Sequence, residues 1–256
     1  MRYVGIVGFP KSGTTALSAA LARLPQFTYY KGLKEPRAVF FDHISDKSYK
    51  YQRLRDRSEP CYQSFLRGIE ALPSNYTLVD GSCGGAFYPE AYRRFYDDTK
   101  HIFSSYWFVF VIRSERERLE SLRKHCYREF IIRDDKEFFN LMTEEYAIKG
   151  DPFFWGADEK EGTLRRFSSY FTSEDNVHII SIPYSDLGSN NELSSALGVR
   201  IELNQRNTGV SIKSPKLYRL MMYIKPFASH AFVRLLIPNR LKKMLLKYAK
   251  KNIFKG

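Results

Sequence analysis

The residues best suited to chemistry stand at the N-terminus. Gly8-Phe9-Pro10-Lys11-Ser12-Gly13-Thr14-Thr15 follows the apolar run Tyr3-Val4-Gly5-Ile6-Val7 and leads into Ala16-Leu17-Ser18-Ala19-Ala20-Leu21, a strong helix former. Strand, glycine-rich turn and helix in that order make an anion cradle. Glycines let backbone N–H groups turn inward, and the helix offers its unsatisfied first-turn donors and positive dipole end. Thr14 and Thr15 add hydroxyl donors. A nucleoside-triphosphate loop follows the pattern GxxxxGK[ST], with its lysine directly after the second glycine. Here Gly8 and Gly13 keep the spacing, but Thr14 stands where that lysine would, and Lys11 lies two residues before Gly13. At the loop tip a lysine is in reach of a bridging or transferring oxygen. The departure counts against a P-loop kinase or NTPase, which would also need Mg²⁺.

Two further constellations bear on the same ligand class. The run Trp107-Phe108-Val109-Phe110-Val111-Ile112 ends in Arg113, and Ser121 follows eight residues later in a helical stretch. Arginine offers a bidentate fork to a phosphate dianion and serine a directed hydroxyl. Alone, such a charged strand end is an ordinary solvated face. The second is Lys34-Glu35, shortly before Phe40-Phe41, where a carboxylate suited to taking a proton stands beside an ammonium group; a surface carboxylate paired with Lys34 or Arg37 accounts for Glu35 equally. Histidine is the rival base. Of His43, His101, His125, His178 and His230, His125 lies four residues after Ser121, one helical turn on, and His43 follows the Glu35 segment. Asp80 and Ser82, in the turn Asp80-Gly81-Ser82-Cys83-Gly84-Gly85, would sit at the carboxyl edge of a sheet, where open α/β folds bind ligands, or simply make that turn.

Pro10-Lys11-Ser12-Gly13-Thr14-Thr15 followed by Ala16-Leu17 resembles the 5′-phosphosulfate loop of the sulfotransferases that use 3′-phosphoadenosine 5′-phosphosulfate (PAPS). The pairing of Arg113 with Ser121 is similar to that family's 3′-phosphate site, in the family's order. Ile182-Pro183-Tyr184-Ser185-Asp186-Leu187 is loosely similar to its "YEDL"-like strand end, and Arg206-Asn207-Thr208-Gly209 with Lys213 to its late basic loop. The resemblance implies transfer of a sulfuryl group to a hydroxyl or amine, leaving adenosine 3′,5′-bisphosphate. It implies Pro10, Lys11, Ser12, Gly13, Thr14, Thr15, Arg113 and Ser121 as donor contacts, with Lys11 stabilising the leaving phosphate oxygen. The sulfuryl group carries less negative charge than a phosphoryl group, so no metal is expected. Lys34-Glu35 resembles the base-bearing segment of glycan-modifying and bacterial members, which implies Glu35 as general base, Lys34 as a substrate contact and a carbohydrate or glycolipid acceptor. Extra residues before Phe40-Phe41 depart from that pattern. His125 is the other base candidate.

These residues need a scaffold. Short β-branched or aromatic runs at Tyr3–Val7, Thr77–Val79, Trp107–Ile112 and Val177–Ile182 alternate with helical patterns at Thr14–Leu24, Pro89–Asp98, Glu115–Phe130, Lys136–Ile148 and Glu161–Phe171. That order predicts an α/β fold, a P-loop-containing parallel sheet flanked by helices. At 256 residues, 43% of them hydrophobic, a single sulfotransferase-like domain is expected, with a core over about 1–200 and a basic helical extension over about 201–256. Within the extension, Leu217–Phe254 mixes apolar and basic residues at helical spacing, broken by Pro226 and Pro238. It reads as a solvated hairpin over the sheet or as a peripheral contact with an anionic membrane.

With 41 Lys and Arg against 28 Asp and Glu, the net charge of +13 draws anions without choosing among nucleotides, glycans, nucleic acid and membranes. A nucleic-acid-binding module is suggested by this charge alone, so none is expected as a partner. Cys61, Cys83 and Cys126 are odd in number and lack CxxC spacing, which supports neither a disulfide framework nor a zinc site and suits a reducing, cytoplasmic setting. The opening apolar run is short for a signal peptide, and no uncharged stretch approaches the roughly 20 residues that span a bilayer.

Overall fold

The computed structural model describes residues 1–43, 61–128, 131–144, 160–188, 192–203, 211–212, 218 and 253–255. It divides into two compact units, 1–118 with 144–206 and 119–143 with 207–256.

The first unit is built on five parallel strands: β1 (Arg2–Gly5), β2 (Phe27–Tyr29), β3 (Thr77–Asp80), β4 (Ser105–Ile112) and β5 (Val177–Pro183), in the order β2-β3-β1-β4-β5. Parallel neighbours require crossovers, which are supplied by helices α1 (Thr14–Leu21), α2 (Tyr62–Glu70), α3 (Pro89–Thr99) and α6 (Lys160–Ser169), with α7 (Glu192–Leu197) following β5. The chain runs outward from β1 to one side through β2 and β3, then returns across β1 to β4 and β5. That reversal puts a topological switch point at the carboxyl ends of the central strands.

Each face of the sheet carries its own kind of side chain. Tyr3, Leu78, Tyr106, Phe108 and Phe110 pack with Phe65 and Ile69 of α2, Tyr92 and Phe95 of α3, and Phe167 of α6 in an aromatic layer. Val4, Val79, Val109, Val111, Ile180 and Ile182 pack with Leu17, Ala20 and Leu21 of α1 and Leu193 and Leu197 of α7 in an aliphatic one. Both faces of β4 are therefore covered, which is why it reads as a continuous apolar run. Phe108 is fully buried, with ring centres 5.1 Å from Phe167, 5.1 Å from Phe171 and 5.6 Å from Tyr92.

The expected strands and helices are present with shifted ends. Regular β1 stops at Gly5, yet the Ile6 amide donates to the Asp80 carbonyl at 2.7 Å and the Val7 amide to the Val109 carbonyl at 3.1 Å, so the edge of the sheet extends to the start of the loop. α1 ends at Leu21, before Leu24, because Pro25 disfavours helical backbone at the residue preceding it. In this unit three elements were not expected, β2, α2 and α7, and the strands Ser211–Ile212 and Phe254–Lys255 were not expected in a stretch read as helical.

The second unit holds Leu119–Arg128 of α4 (Glu115–Arg128), α5 (Asp135–Glu144) and a two-stranded antiparallel ribbon, β6 (Ser211–Ile212) with β7 (Phe254–Lys255). The Arg123 guanidinium donates to both Asp135 oxygens, at 2.9 and 3.0 Å, and holds that carboxyl below the usual carboxylate range. The Tyr218 hydroxyl donates to the Ile132 carbonyl. Most of Leu217–Phe254, the loop Arg206-Asn207-Thr208-Gly209 and Lys213 lie outside the described residues.

Truncating a core ring leaves a cavity as well as losing transfer free energy, at about 3–5 kcal/mol for Phe→Ala. Phe108→Ala is expected to lower unfolding free energy by that amount in urea titrations, with Phe108→Leu well under it.

Candidate active site

The loop between β1 and α1 has the backbone of an anion cradle. Gly13 caps α1 with φ 95°, a left-handed conformation open to glycine at little cost, and no side chain caps the helix. No acidic residue stands in the first turn to fill the positive dipole end. Lys11, at φ 67°, also takes the left-handed region. Ser12 is fully buried, and its hydroxyl has no hydrogen-bond partner among the described residues. A buried hydroxyl without a partner is costly, so its presence beside the start of α1 fits a site that takes a ligand with acceptor oxygens.

Neighbouring elements hold the loop's shape. Gly8 lies so close to β4 that an added Cβ would stand 3.0 Å from the Val111 nitrogen. The Gly84 amide donates to the Gly8 carbonyl at 2.8 Å and the Ala86 amide to the Val7 carbonyl at 2.9 Å. From β4, Arg113 donates to the Lys11 carbonyl at 3.2 Å, and its guanidinium lies 4.3 Å from the centre of the Tyr184 ring. Tyr184 opens the 3₁₀ turn Tyr184–Gly188 after β5 and covers Gly13, where a Cβ would meet its ring at 2.7 Å. The strand end Ile182–Leu187 thus packs on the loop.

Lys34 joins the second constellation to the first. Its ammonium donates to the Thr15 hydroxyl at 2.7 Å and to Glu35 at 2.7 Å, and Arg37 holds the other Glu35 oxygen. Both pairings expected of a surface carboxylate are therefore made, on a side chain only 21% exposed. Behind this segment, Asp80 is buried at the end of β3. Burial pushes its carboxyl above the usual range, while the Ser82 side chain and amide and the Tyr3 phenol pull it back.

The first unit thus gathers Pro10, Lys11, Ser12, Gly13, Thr14, Thr15, Lys34, Glu35 and Arg113 at one sheet edge. Ser121 and His125 belong to the second unit, where His125 lies 3.4 Å from the Arg128 guanidinium. His43 ends an exposed turn with its ring centre 6.3 Å from that of Tyr88, His101 is exposed, and His178 stacks on Trp107 with centres 4.0 Å apart. His230 is outside the described residues. The cover that Tyr184 gives Gly13 was not expected, and its only trace in the sequence is the "YEDL"-like strand end. Among the described residues no cluster of three His, Cys, Asp or Glu is gathered as for a metal, and all three cysteines are thiols. No helix of the described residues is long and apolar enough to cross a membrane.

A sulfotransferase from Alicyclobacillus acidocaldarius has a solved structure that matches 87% of this chain and 91% of its own, with a TM-score of 0.58 and 16% identity. The fold is sulfotransferase-like. At that identity the likeness establishes the fold alone. The sulfotransferase domain from the curacin biosynthetic pathway (TM-score 0.43, 14% identity, 81% of this chain and 78% of that one) also matches. So does the domain from the Synechococcus PCC 7002 olefin synthase (0.38, 15%, 79% and 74%); scores this low carry no argument. No family model and no curated protein matches the chain.

A side chain at Gly13 meets both the φ of 95° and the Tyr184 ring. Gly13→Ala is expected to cost roughly 1–3 kcal/mol of stability. Thermal unfolding checks this. Tyr184→Ala added to it should recover only the steric part.

Proposed function

We propose that this chain is a sulfotransferase that moves a sulfuryl group from PAPS to a hydroxyl or amine acceptor, on a carbohydrate or glycolipid. The observation that carries the reading is the loop itself. It has an uncapped helix start, a left-handed glycine, a buried serine hydroxyl without a partner among the described residues, and Lys11 at the tip in place of a lysine after the second glycine. A phosphate with a sulfonate attached fits such a cradle, and the sulfotransferase-like fold agrees with it.

In this reading Pro10–Thr15 bind the 5′ end of the donor. Arg113, with Ser121 eight residues on, supplies the 3′-phosphate anchor on the strength of the sequence pattern. Sulfuryl transfer is in-line: the bond from sulfur to the bridging oxygen breaks as the bond to the acceptor forms. Negative charge gathers on the leaving phosphate oxygen, and a positioned cation stabilises it. Lys11 takes that part. Lys34, bonded to Thr15, orients the sulfonate, and Glu35 accepts the acceptor's proton. His125 is the rival base. The basic C-terminal segment would favour an acceptor carried on an anionic surface.

Four measurements test the reading. Adenosine 3′,5′-bisphosphate should bind at one saturable site without Mg²⁺; metal-dependent binding of a nucleoside triphosphate in its place would overturn it. Labelled sulfate transfer to a panel of glycans, lipids and phenols identifies the acceptor. Lys11→Ala should cut turnover roughly 10²–10³-fold. Glu35→Gln should cut it by about 10²-fold or more with the bisphosphate still bound, whereas full turnover would move the base to His125.

A further inference from the structure

One buried carboxylate has no part in the chemistry above. Asp80 is 1% exposed. One of its oxygens accepts the Tyr3 phenol at 2.9 Å and the other the Ser82 amide at 2.8 Å. A carboxylate in the interior is costly unless hydrogen-bonded, and only the Tyr3 bond points into the core. The other leads outward. The Ser82 hydroxyl accepts the Arg37 amide at 2.8 Å, and the amide of Gly81, between Asp80 and Ser82, donates to the Lys34 carbonyl at 2.9 Å.

Those two attachments bracket Glu35. They bind the backbone one residue before it and two residues after it to the turn that Asp80 organises. The second attachment holds a strained point, because Arg37 takes φ 53°, a left-handed conformation that persists only where the surroundings enforce it. Arg37 in turn donates to the Glu35 carboxylate. We propose that Asp80 and Ser82 are positioning residues, which through the Ser82 hydroxyl fix the Arg37 turn and so aim the Glu35 carboxylate. The purpose assigned to that aim rests on the reading of Glu35 as base. Among the described residues, the titratable groups that bear on Asp80 include Tyr3 on β1, Tyr92 on α3 and Glu35.

Ser82→Ala removes the acceptor of the Arg37 amide and leaves the carboxylate in place, and Ser82→Thr restores the hydroxyl. Three quantities are read on the full-length protein: hydrogen exchange at the Arg37 amide, kcat with a sulfated-donor assay, and the Kd of adenosine 3′,5′-bisphosphate. Loss of one hydrogen bond corresponds to about a tenfold change. Ser82→Ala should therefore speed Arg37 exchange and lower kcat by about that factor, with the bisphosphate Kd within about twofold of wild type. Ser82→Thr should recover both, and Asp80→Asn should fall on the Ser82→Ala side. Unchanged Arg37 exchange in Ser82→Ala, or a Kd that worsens in step with kcat, overturns the proposal. A wild-type protein inactive with every acceptor overturns the transferase reading instead, and the exchange rate then decides the positioning tie alone.

Discussion

The first turn of α1 ends in backbone donors that no side chain caps, and the carboxyl edge of the sheet is arranged around that deficit. An ordinary helix start would place serine, threonine, asparagine or aspartate at the cap and satisfy itself. Here the cap is Gly13, turned to φ 95°, and the serine before it is buried with its hydroxyl unpartnered among the described residues. The loop keeps this shape because it is gripped from two sides. The connection after β3 reaches it through Gly84 and Ala86, and the ends of β4 and β5 through Arg113 and Tyr184. Donors held in place before a ligand arrives need no reorganisation when charge develops against them.

The sheet behind the loop divides its labour by face. The aromatic layer fills space under the long helices α3 and α6, whereas α1 meets the sheet with Leu17, Ala20 and Leu21. Small residues on α1 permit a close approach: Gly81, just past β3, lies where an added Cβ would stand 3.1 Å from Ser18 and 3.0 Å from the Lys34 carbonyl. That approach puts the Lys34 segment against the start of α1, and so allows an ammonium group to bridge Thr15 and Glu35. Packing on the aliphatic face is thus what joins the two chemical constellations.

Local sequence carried the elements whose signals are long and repeated. β4 was legible because Trp107–Ile112 is an unbroken apolar run, and α1 because its loop and its alanines agree. β2 was not, since three residues with Thr28 in the middle offer no pattern, and its place at the sheet edge comes from pairing with β3. α2 does show apolar positions at Tyr62, Phe65 and Ile69, a signal present but confined to nine residues. Of the site, the loop and Lys34-Glu35 could be found as motifs. The Tyr3 to Asp80 bond, between residues 77 apart, and the cover of Gly13 by Tyr184 come from topology, which brings the ends of β1, β3 and β5 together.

The same geometry sets the Glu35 carboxylate between two cations. Lys34 donates to one of its oxygens and Arg37 to the other. Lys34 is shared, since it also holds Thr15 at the entrance of the anion cradle. In the proposed reaction an anion entering that cradle competes for the Lys34 ammonium. The bridge from Thr15 to Glu35 thereby ties the two constellations together, a tie that neither would have if α1 stood further from the Lys34 segment.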